Sequence, residues 1–407
     1  MWDPYRIPVG TGKALVPGPL ARYPRSSHVR ARGRGGWPAA PVRRMPRAMT
    51  LEAELAAAIE AAARGVPPPD FEPWALRVFA HQFEHNAPYR AFCVRRGVTP
   101  ATVARWEDVP AVPSVAFRQV DLACGPPEAV FVTSGTTNRA ARGRHLVPHL
   151  ALYRCSALAS FARFVLPDGV RLPCLAFVPP PALRPASSLV QMCVWVGEAL
   201  ASSIEWMIGE RGLETERLLA RLAAAEASGE ALLLVGVTAA FAELFAACRT
   251  RGRGFRLGPA SRVVDTGGQK GTTRPLSRPA FLSECWTLLG IPGYYCINEY
   301  GMTELCSQRY DSALDDRFHG RSLAPRRLAG PPWLRTRVLD PDTLAPVAPG
   351  ATGLLCHHDL ANAGSVSVVL TEDLGRAAGD DGIAVLGRVP GATPRGCGLL
   401  LADLEPR

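Results

Sequence analysis

The sequence has no C-x-x-C pair, no apolar run long enough to cross a membrane, and no apolar segment of the kind found in signal peptides. The 11 cysteines are scattered, which argues against a zinc cluster or a dithiol redox site. The longest apolar runs, at 231–237 and 366–370, have the length of β-strands. An odd number of cysteines without a secretory signal predicts reduced thiols, so we expect a cytoplasmic protein without a membrane span.

Basic charge is concentrated at the start of the chain. The formal net charge is +10, but residues 1–48 hold ten arginines and lysines against one acid, and the remainder is almost neutral. This leader is rich in proline, glycine and arginine and has no apolar periodicity, so we expect it to be disordered. It is either a basic tail for nucleic acid or targeting, or sequence upstream of a true start at Met45 or Met49. No basic fold motif supports nucleic-acid binding, and no nucleic-acid partner is predicted.

The remainder of the chain has the composition of a globular protein, since 47% of all residues are hydrophobic and a chain of this length can bury a full core. Apolar periodicity predicts helices and strands that alternate, which favours an α/β architecture with a largely parallel sheet. The predicted helices are 51–64, 71–86, 149–166, 213–227 and 239–248, and the predicted strands are 175–178 and 232–237.

Three short motifs carry most of the functional information. Thr-Ser-Gly-Thr-Thr-Asn at 133–138 follows an apolar stretch, and backbone N–H groups and hydroxyls of such a loop can wrap a phosphate. Tyr-Gly-Met-Thr-Glu at 300–304 and Thr-Glu-Asp-Leu-Gly at 371–375 add carboxylates that suit a metal and a sugar. Together they predict a nucleotide site. Taken singly, the first could be a turn, the second a strand end followed by a helix cap, and the third a hairpin turn.

Two histidine patterns have structural alternatives. His-Gln-Phe-Glu-His at 81–85 matches an H-x-x-E-H zinc pattern. The alternative is an amphipathic helix with Phe79 and Phe83 inside, and we favour it because five-residue patterns recur by chance. His357 and His358 are likewise interpreted as a strand end rather than a ligand pair.

The motifs carry a resemblance to known families. Their order resembles that of the core motifs of adenylate-forming enzymes, the superfamily of acyl-CoA synthetases, luciferases and peptide-synthetase adenylation domains. A closer resemblance, over roughly residues 50–405, is to the acyl-protein synthetase family, the fatty-acid ligases of bacterial luminescence operons; several motifs of six or more residues in one order make coincidence improbable. The segments that carry this closer resemblance are 181–189, 265–271, 359–362 and 369–375.

The resemblance implies a fold and a division of the chain. The fold would be α/β: the large N-terminal domain of an adenylate-forming enzyme, with mixed and parallel sheets flanked by helices, without the full C-terminal lid domain. The expected segments are a leader at 1–48, a catalytic domain at 49–388 and a short tail at 389–407. Only nineteen residues follow Arg388, and Lys270 is the last lysine, so the catalytic lysine of the superfamily's lid has no counterpart here.

The resemblance also implies ATP and Mg²⁺ as cofactors, and it assigns residues to them. Thr303 matches the residue beside the α-phosphate and Glu304 the residue that holds Mg²⁺. Superfamily loops usually carry a lysine after the phosphate motif, whereas this chain has Arg142, Arg144 and His145 there. The implied nucleotide-binding residues are Thr133, Ser134, Gly135, Thr136, Thr137, Gly267, Gly268, Tyr300, Asp373 and Arg388.

A cysteine near the C-terminus completes the implied chemistry. In the family the activated acyl group moves to such a cysteine, and Cys397 occupies that place. It lies between two glycines and close to Arg395, surroundings that favour a nucleophilic thiolate. The resemblance therefore implies activation of a fatty acid, or another carboxylic acid, to acyl-AMP, followed by thioester formation on Cys397. An acyl reductase or a carrier protein would then receive the acyl group.

Two alternatives remain open from the sequence. One is a carboxylate–CoA ligase resembling the phenylacetate type, although no CoA-binding motif is evident. The other is a non-catalytic relative that retains the fold, an interpretation opposed by the presence of Glu304, Asp373 and Arg388. The sequence does not identify the acid; residues 187–195 and Trp206 are candidates for the border of its pocket.

Overall fold

The computed structural model describes residues 49–404 except 69, 134–141, 268–275, 324, 380, 390–399 and 402. Several sequence predictions therefore lie outside the described residues: the basic leader, the phosphate-loop residues Ser134, Gly135, Thr136 and Thr137, and also Gly268 and Cys397. In the part that is described, no helix combines the length and the apolar character needed to cross a membrane.

The helices predicted from periodicity are confirmed, with ends set by local chemistry. Thr50 Oγ1 accepts a hydrogen bond from Ala53 N and begins the first helix. Gly229 and Gly290 take the left-handed conformation just after two later helices, which glycine adopts without strain. The helices of the described part are α1 (Leu51–Ala63), α2 (Phe71–His85), α3 (Ala87–Arg95), α4 (Leu150–Val165), α5 (Ser188–Ala199), α6 (Thr215–Ser228), α7 (Thr238–Thr250), α8 (Arg278–Leu289) and α9 (Ala313–Phe318).

The strands of the described part are β1 (Val112–Pro113), β2 (Ala129–Val132), β3 (Arg144–Val147), β4 (Pro173–Phe177), β5 (Ser203–Trp206), β6 (Ile208–Gly209), β7 (Gly212–Leu213), β8 (Leu233–Gly236), β9 (Arg262–Asp265), β10 (Cys296–Tyr300), β11 (Arg309–Asp311), β12 (Leu328–Ala329), β13 (Leu334–Leu339), β14 (Gly353–Asp359), β15 (Val368–Ala377) and β16 (Ile383–Arg388). Twelve of them form one sheet, and β2–β3 and β6–β7 form two hairpins.

Five of the twelve strands form a parallel part of the large sheet, so the largely parallel sheet expected from periodicity is present only there. Strands β5, β4, β8, β9 and β10 lie side by side in that order, each parallel to the next. Their side chains alternate between two cores: Leu233 and Val235 pack with α4 and α5, whereas Leu232 and Leu234 pack with α6, α7 and α8. Burial on both faces explains why these strands are continuous apolar runs in the sequence.

The rest of the sheet is mainly antiparallel, which fits the mixed sheets that the resemblance implies but was not predicted from periodicity. It continues from β10 through β11, β12 and β16 to β15, β14 and β13, and β1 pairs with β15 in parallel. The segment 371–375 lies inside β15, so its interpretation as a hairpin turn is wrong. His357 and His358 are buried near the end of β14, which confirms their interpretation as strand residues.

Ion pairs in the described part of the chain depend mainly on arginine. The described ranges contain no lysine, and each ion pair within them joins a carboxylate to arginine or histidine. Arg262 and Arg309 are fully buried. Arg262 donates to Val165 O and to Asp168, a forked arrangement that the planar guanidinium provides and an ammonium does not.

The histidine pattern in α2 serves a structural contact. Nε2 of His81 lies 2.9 Å from Oε1 of Glu52, and Nε2 of His149 lies 3.3 Å from the same oxygen. Glu52 therefore ties the start of α1 to α2 and to the start of α4. Burial alone would raise the pKa of Glu52, but the close contact with His81 and the nearby charges of both histidines hold the pKa at about 2. Among the described residues, no group of three His, Cys, Asp or Glu side chains is arranged to hold a metal.

We predict that Glu52→Gln lowers the free energy of unfolding by about 1–3 kcal/mol at pH 5.5 to 7, because the buried carboxylate loses its charge interactions with His81 and His149. The pKa of Glu52 is lower in the folded chain than its ordinary value of 4.5, so its contribution is complete above about pH 4.5 and is lost as the pH falls toward 2. Urea unfolding of wild type and variant across this range measures the difference.

The matched control is Glu54→Gln, on the same helix, where Glu54 forms an exposed pair with Arg77 and should contribute less than about 1 kcal/mol. Equal effects of the two variants at pH 5.5 to 7, or a Glu52 effect as large near pH 2 as at pH 6, would contradict the prediction.

Candidate functional site

A cavity of about 1360 Å³ lies at the carboxyl ends of the parallel strands. Its wall includes Phe177 at the end of β4, Asp265 at the end of β9 and Tyr300 at the end of β10. Side chains that follow parallel strands converge at one edge of the sheet, which is where open α/β sheets bind ligands. The residues of β16 also line the cavity. The cavity therefore lies where the parallel and antiparallel parts of the sheet meet.

The hairpin β2–β3 brings Thr133 and Arg142, the described residues on either side of segment 134–141, to this cavity. Thr133 N donates to Gly143 O at 3.0 Å, and Gly143 N donates to Thr133 Oγ1 at 2.9 Å. These bonds continue the ladder beyond Val132 and Arg144. They hold Thr133 and Gly143 beside each other, and both Thr133 and Arg142 line the cavity.

The three candidate cations after the loop occupy different surroundings. Arg142 lines the cavity. Arg144 points to the surface and pairs with Asp121, with N–O distances of 2.6 and 2.7 Å. His145 is fully buried, and burial lowers its pKa to about 4, so its ring is neutral at pH 7. Nδ1 of His145 lies 2.7 Å from Thr303 O, which makes this ring a support for the turn after β10 rather than a cation.

Tyr300, Asp373 and Arg388 meet on the cavity wall although they lie on three strands. The register pairs Asp373 directly with Arg388 across β15 and β16, and Arg388 Nε donates to Asp373 Oδ1 at 2.8 Å. The Tyr300 hydroxyl donates to Asp373 Oδ2 at 2.8 Å. Both carboxylate oxygens are therefore held in place, and the three residues predicted to contact the nucleoside line one cavity.

Behind Asp373 runs a chain of hydrogen bonds that the sequence did not reveal. Arg309 donates to Thr336 Oγ1 from Nη2 at 2.7 Å and from Nε at 3.1 Å. Thr336 Oγ1 lies 2.8 Å from His357 Nδ1, and His357 Nε2 lies 3.2 Å from the Tyr300 hydroxyl. Because Tyr300 donates to Asp373, its oxygen accepts from His357 Nε2, and Thr336 donates to Nδ1. Burial lowers the pKa of His357 well below its usual value, as this neutral ring requires.

Thr303 and Glu304 follow the strand that carries Tyr300. Thr303 lines the cavity, while Glu304 is 8% exposed. Burial raises the pKa of Glu304 to about 7, against the lowering effect of Arg388 and Arg118. No ion pair joins its carboxylate to another residue of the described part. A buried carboxylate without a paired cation fits a divalent metal site, and Mg²⁺ prefers such hard oxygen ligands.

Part of the cavity wall is apolar. Its residues include Phe177, Leu189, Val190 and Met192, most of them on α5. Part of the segment 187–195, predicted to border the acid pocket, therefore lines the cavity. The two tryptophans of that prediction do not: Trp195 packs in the core, and neither it nor Trp206 lines the cavity.

Most described members of the predicted site share this cavity. Gly267, with φ of +63°, presents its backbone to it and accepts a hydrogen bond from Thr238 N through its carbonyl. Glu304 is buried and is not among the residues that line the cavity. Sequence reasoning missed Glu299, a buried carboxyl on the wall, because it lies just before the motif 300–304 and the sequence gives no signal of its burial. The predicted residues that line the cavity are Thr133, Gly267, Tyr300, Thr303, Asp373 and Arg388.

Comparison with known proteins places the chain in context. The family model for acyl-protein synthetase, LuxE, matches residues 69–404. A long-chain-fatty-acid–luciferin-component ligase of Vibrio harveyi is 24% identical over 341 residues, which are 80% of this chain and 85% of that protein. A protein of the same name from Aliivibrio fischeri is 44% identical over 45 residues, 11% of this chain and 12% of its own.

Solved structures show the same fold. An open conformation of 2-hydroxyisobutyryl-CoA ligase has a TM-score of 0.55 at 17% identity and covers 78% of this chain and 73% of its own. The postadenylation state of that ligase has a TM-score of 0.56 at 17% identity, with coverages of 85% and 72%. The mixed α/β architecture that the resemblance implies is confirmed, and these ligase structures share it.

We predict that Thr336→Val lowers the free energy of unfolding by about 2–3 kcal/mol, because it leaves the Arg309 donors and His357 Nδ1 without their hydroxyl partner in a buried place. Valine keeps the shape of threonine and its preference for a strand. Urea unfolding measures the loss. Thr287→Val is the control, since Thr287 is exposed on α8 and should change stability by less than about 0.5 kcal/mol. Equal stability of the two variants would contradict the chain of hydrogen bonds.

Proposed function

The chain belongs to the acyl-protein synthetase, LuxE family, and from this premise we propose that it is a ligase that activates a fatty acid, or another carboxylic acid, with ATP. The observation that carries the proposal is the group of Tyr300, Asp373 and Arg388 on the cavity wall. A carboxylate held on both oxygens and open to a cavity suits the two hydroxyls of a ribose, which are hydrogen-bond donors.

The phosphate end of the nucleotide would lie toward the base of the β2–β3 hairpin. Thr133 and Arg142 line the cavity there, and Thr303 follows on the neighbouring turn. We propose that Ser134, Gly135, Thr136 and Thr137 complete this end of the site and that Gly267 and Gly268 border the adenine. Mg²⁺ held by Glu304 would neutralise phosphate charge.

The first step would form a mixed anhydride. A carboxylate oxygen of the acid attacks the α-phosphorus of ATP, the bond from that phosphorus to the bridging oxygen breaks, and pyrophosphate leaves. The residues bind the two anions, which repel each other, and hold them in line; such positioning and charge stabilisation lower the barrier. The apolar wall of α5 would take the acyl chain, where water is excluded.

The second step would transfer the acyl group to sulfur. The Cys397 thiolate attacks the carbonyl carbon of acyl-AMP, the bond from that carbon to the phosphate oxygen breaks, and AMP leaves with a thioester on the protein. The thiol proton goes to solvent. We propose residues 49–388 as the catalytic domain and 389–407 as the segment that carries the acceptor, with an acyl reductase or a carrier protein as the next acceptor.

We predict that Asp373→Asn raises the KM for ATP at least about tenfold, because the amide loses one acceptor position and leaves Arg388 without its anion. ATP–pyrophosphate exchange with a fatty acid as co-substrate measures the effect. Asp342→Asn, in an exposed turn, is the matched control and should leave the KM unchanged. An unchanged KM in Asp373→Asn would remove the ribose role of this carboxylate.

We predict that wild type incubated with Mg-ATP and a panel of fatty acids gains an acyl mass that hydroxylamine removes, whereas Cys397→Ala does not. Intact-protein mass spectrometry measures the adduct, and its size identifies the preferred chain. Cys155→Ala is the control, because its thiol is half-buried and burial raises its pKa to about 11, which keeps it unreactive. No adduct on any variant, with AMP released once CoA is added, would support a carboxylate–CoA ligase instead.

A further inference from the structure

Four carboxylates line the described part of the cavity wall, and three of them are paired with arginine. Asp265 accepts from Arg278 at 2.5 Å, Asp311 from Arg326 at 2.7 Å, and Asp373 from Arg388 at 2.8 Å. The exception is Glu299. Within the described ranges, its carboxyl group has no hydrogen bond or ion pair. The residue is nevertheless buried, with 7% of its surface exposed.

The position of Glu299 is fixed by the turn that follows it. A Cβ atom at Gly301 would lie 2.5 Å from Glu299 Oε1, so the carboxyl group rests against the backbone of this glycine and uses the space that a side chain would fill. The same Cβ position would lie 3.2 Å from Gln308 Cγ. The absence of a side chain at Gly301 therefore provides the space that the Glu299 carboxyl group occupies.

Glu299 is linked to the apolar part of the cavity wall. It pairs with Tyr310 across β10 and β11, and the Tyr310 hydroxyl donates to Met192 Sδ on α5. Met192 lines the cavity together with Tyr153 and Val190. The carboxyl group of Glu299 is thus close to the wall where, under the proposed function, the hydrocarbon chain of the acid would lie.

A buried carboxyl group without a partner is costly, and a plain hydrocarbon chain would deepen the cost by removing the remaining water. Burial, and then the charge of Asp265, raise the pKa of Glu299 to about 8. At neutral pH the group is therefore an uncharged carboxylic acid that both donates and accepts. A hydroxyl group has the same two capacities and no charge, so it matches this partner better than an ammonium or a second carboxylate.

We propose that Glu299 hydrogen-bonds a hydroxyl group on the chain of the substrate acid, so that the enzyme prefers hydroxylated carboxylic acids to their unsubstituted counterparts. This inference rests on the proposed function, because it names the substrate class of the same cavity. Glu299 is a specificity-determining residue in this account and takes no part in bond making.

The test compares decanoic acid with its monohydroxy isomers in the full-length chain, by pyrophosphate release with ATP. For wild type, kcat/KM for at least one isomer should exceed that for decanoic acid about tenfold or more, since a site built to bond a hydroxyl discriminates against the analogue that lacks it. Glu299→Leu should bring the ratio close to one, while Glu299→Gln, which keeps a donor and an acceptor, should retain most of it. Glu198→Gln, an exposed carboxyl on α5, is the matched control and should retain the wild-type ratio.

Calorimetric titration of the same acids without ATP separates this inference from the proposed function. Pyrophosphate release that is equally fast with decanoic acid and every isomer would overturn the inference and leave the ligase proposal standing. If no acid causes pyrophosphate release, the ligase proposal is wrong. In that case, tighter binding of a hydroxylated acid by wild type than by Glu299→Leu would still support the role of Glu299. Equal binding of all acids by wild type, or tighter binding of an amino acid of the same length, would overturn the role of Glu299.

Discussion

The position of Asp373 depends on a chain of hydrogen bonds that runs in one direction through the antiparallel half of the sheet. It starts at the buried guanidinium of Arg309, passes through Thr336 and His357, and ends with the Tyr300 hydroxyl on the carboxylate. Each intermediate member donates once toward Asp373, so a change at one link reverses or breaks the others. Networks of this kind are rigid when every member is satisfied.

The arrangement of the sheet explains why such a network is needed. Tyr300 ends a parallel strand, while Asp373 and Arg388 lie opposite each other on an antiparallel pair. The short strands β11 and β12 join the two halves, with only two or three residues each. So brief a ladder fixes orientation weakly, and the side-chain bonds supply the alignment that the backbone does not.

The sequence predicted the parts of the fold whose signal is local. Continuous apolar runs gave β4 and β8, and helical spacing gave α1, α2, α4, α6 and α7. The antiparallel half was missed because its strands mix charged and apolar residues, as Arg335 and Arg337 do in β13, and because pairing between distant segments leaves no local trace. The site residues that share the cavity were found through motifs. Thr336 and Glu299 were not, because their roles depend on burial and on neighbours far away in the chain.

The reliance on arginine for ion pairs has a consequence for self-modification. Under the proposed activity the chain produces acyl adenylates, and these mixed anhydrides acylate unprotonated amines. A guanidinium stays protonated and is not acylated. Lys13 and Lys270 are the two lysines of the sequence, so the surface that surrounds the cavity within the described ranges carries no lysine amine. An acyl adenylate that leaves the site would meet few competing side-chain amines on this chain, which favours capture of the acyl group by sulfur.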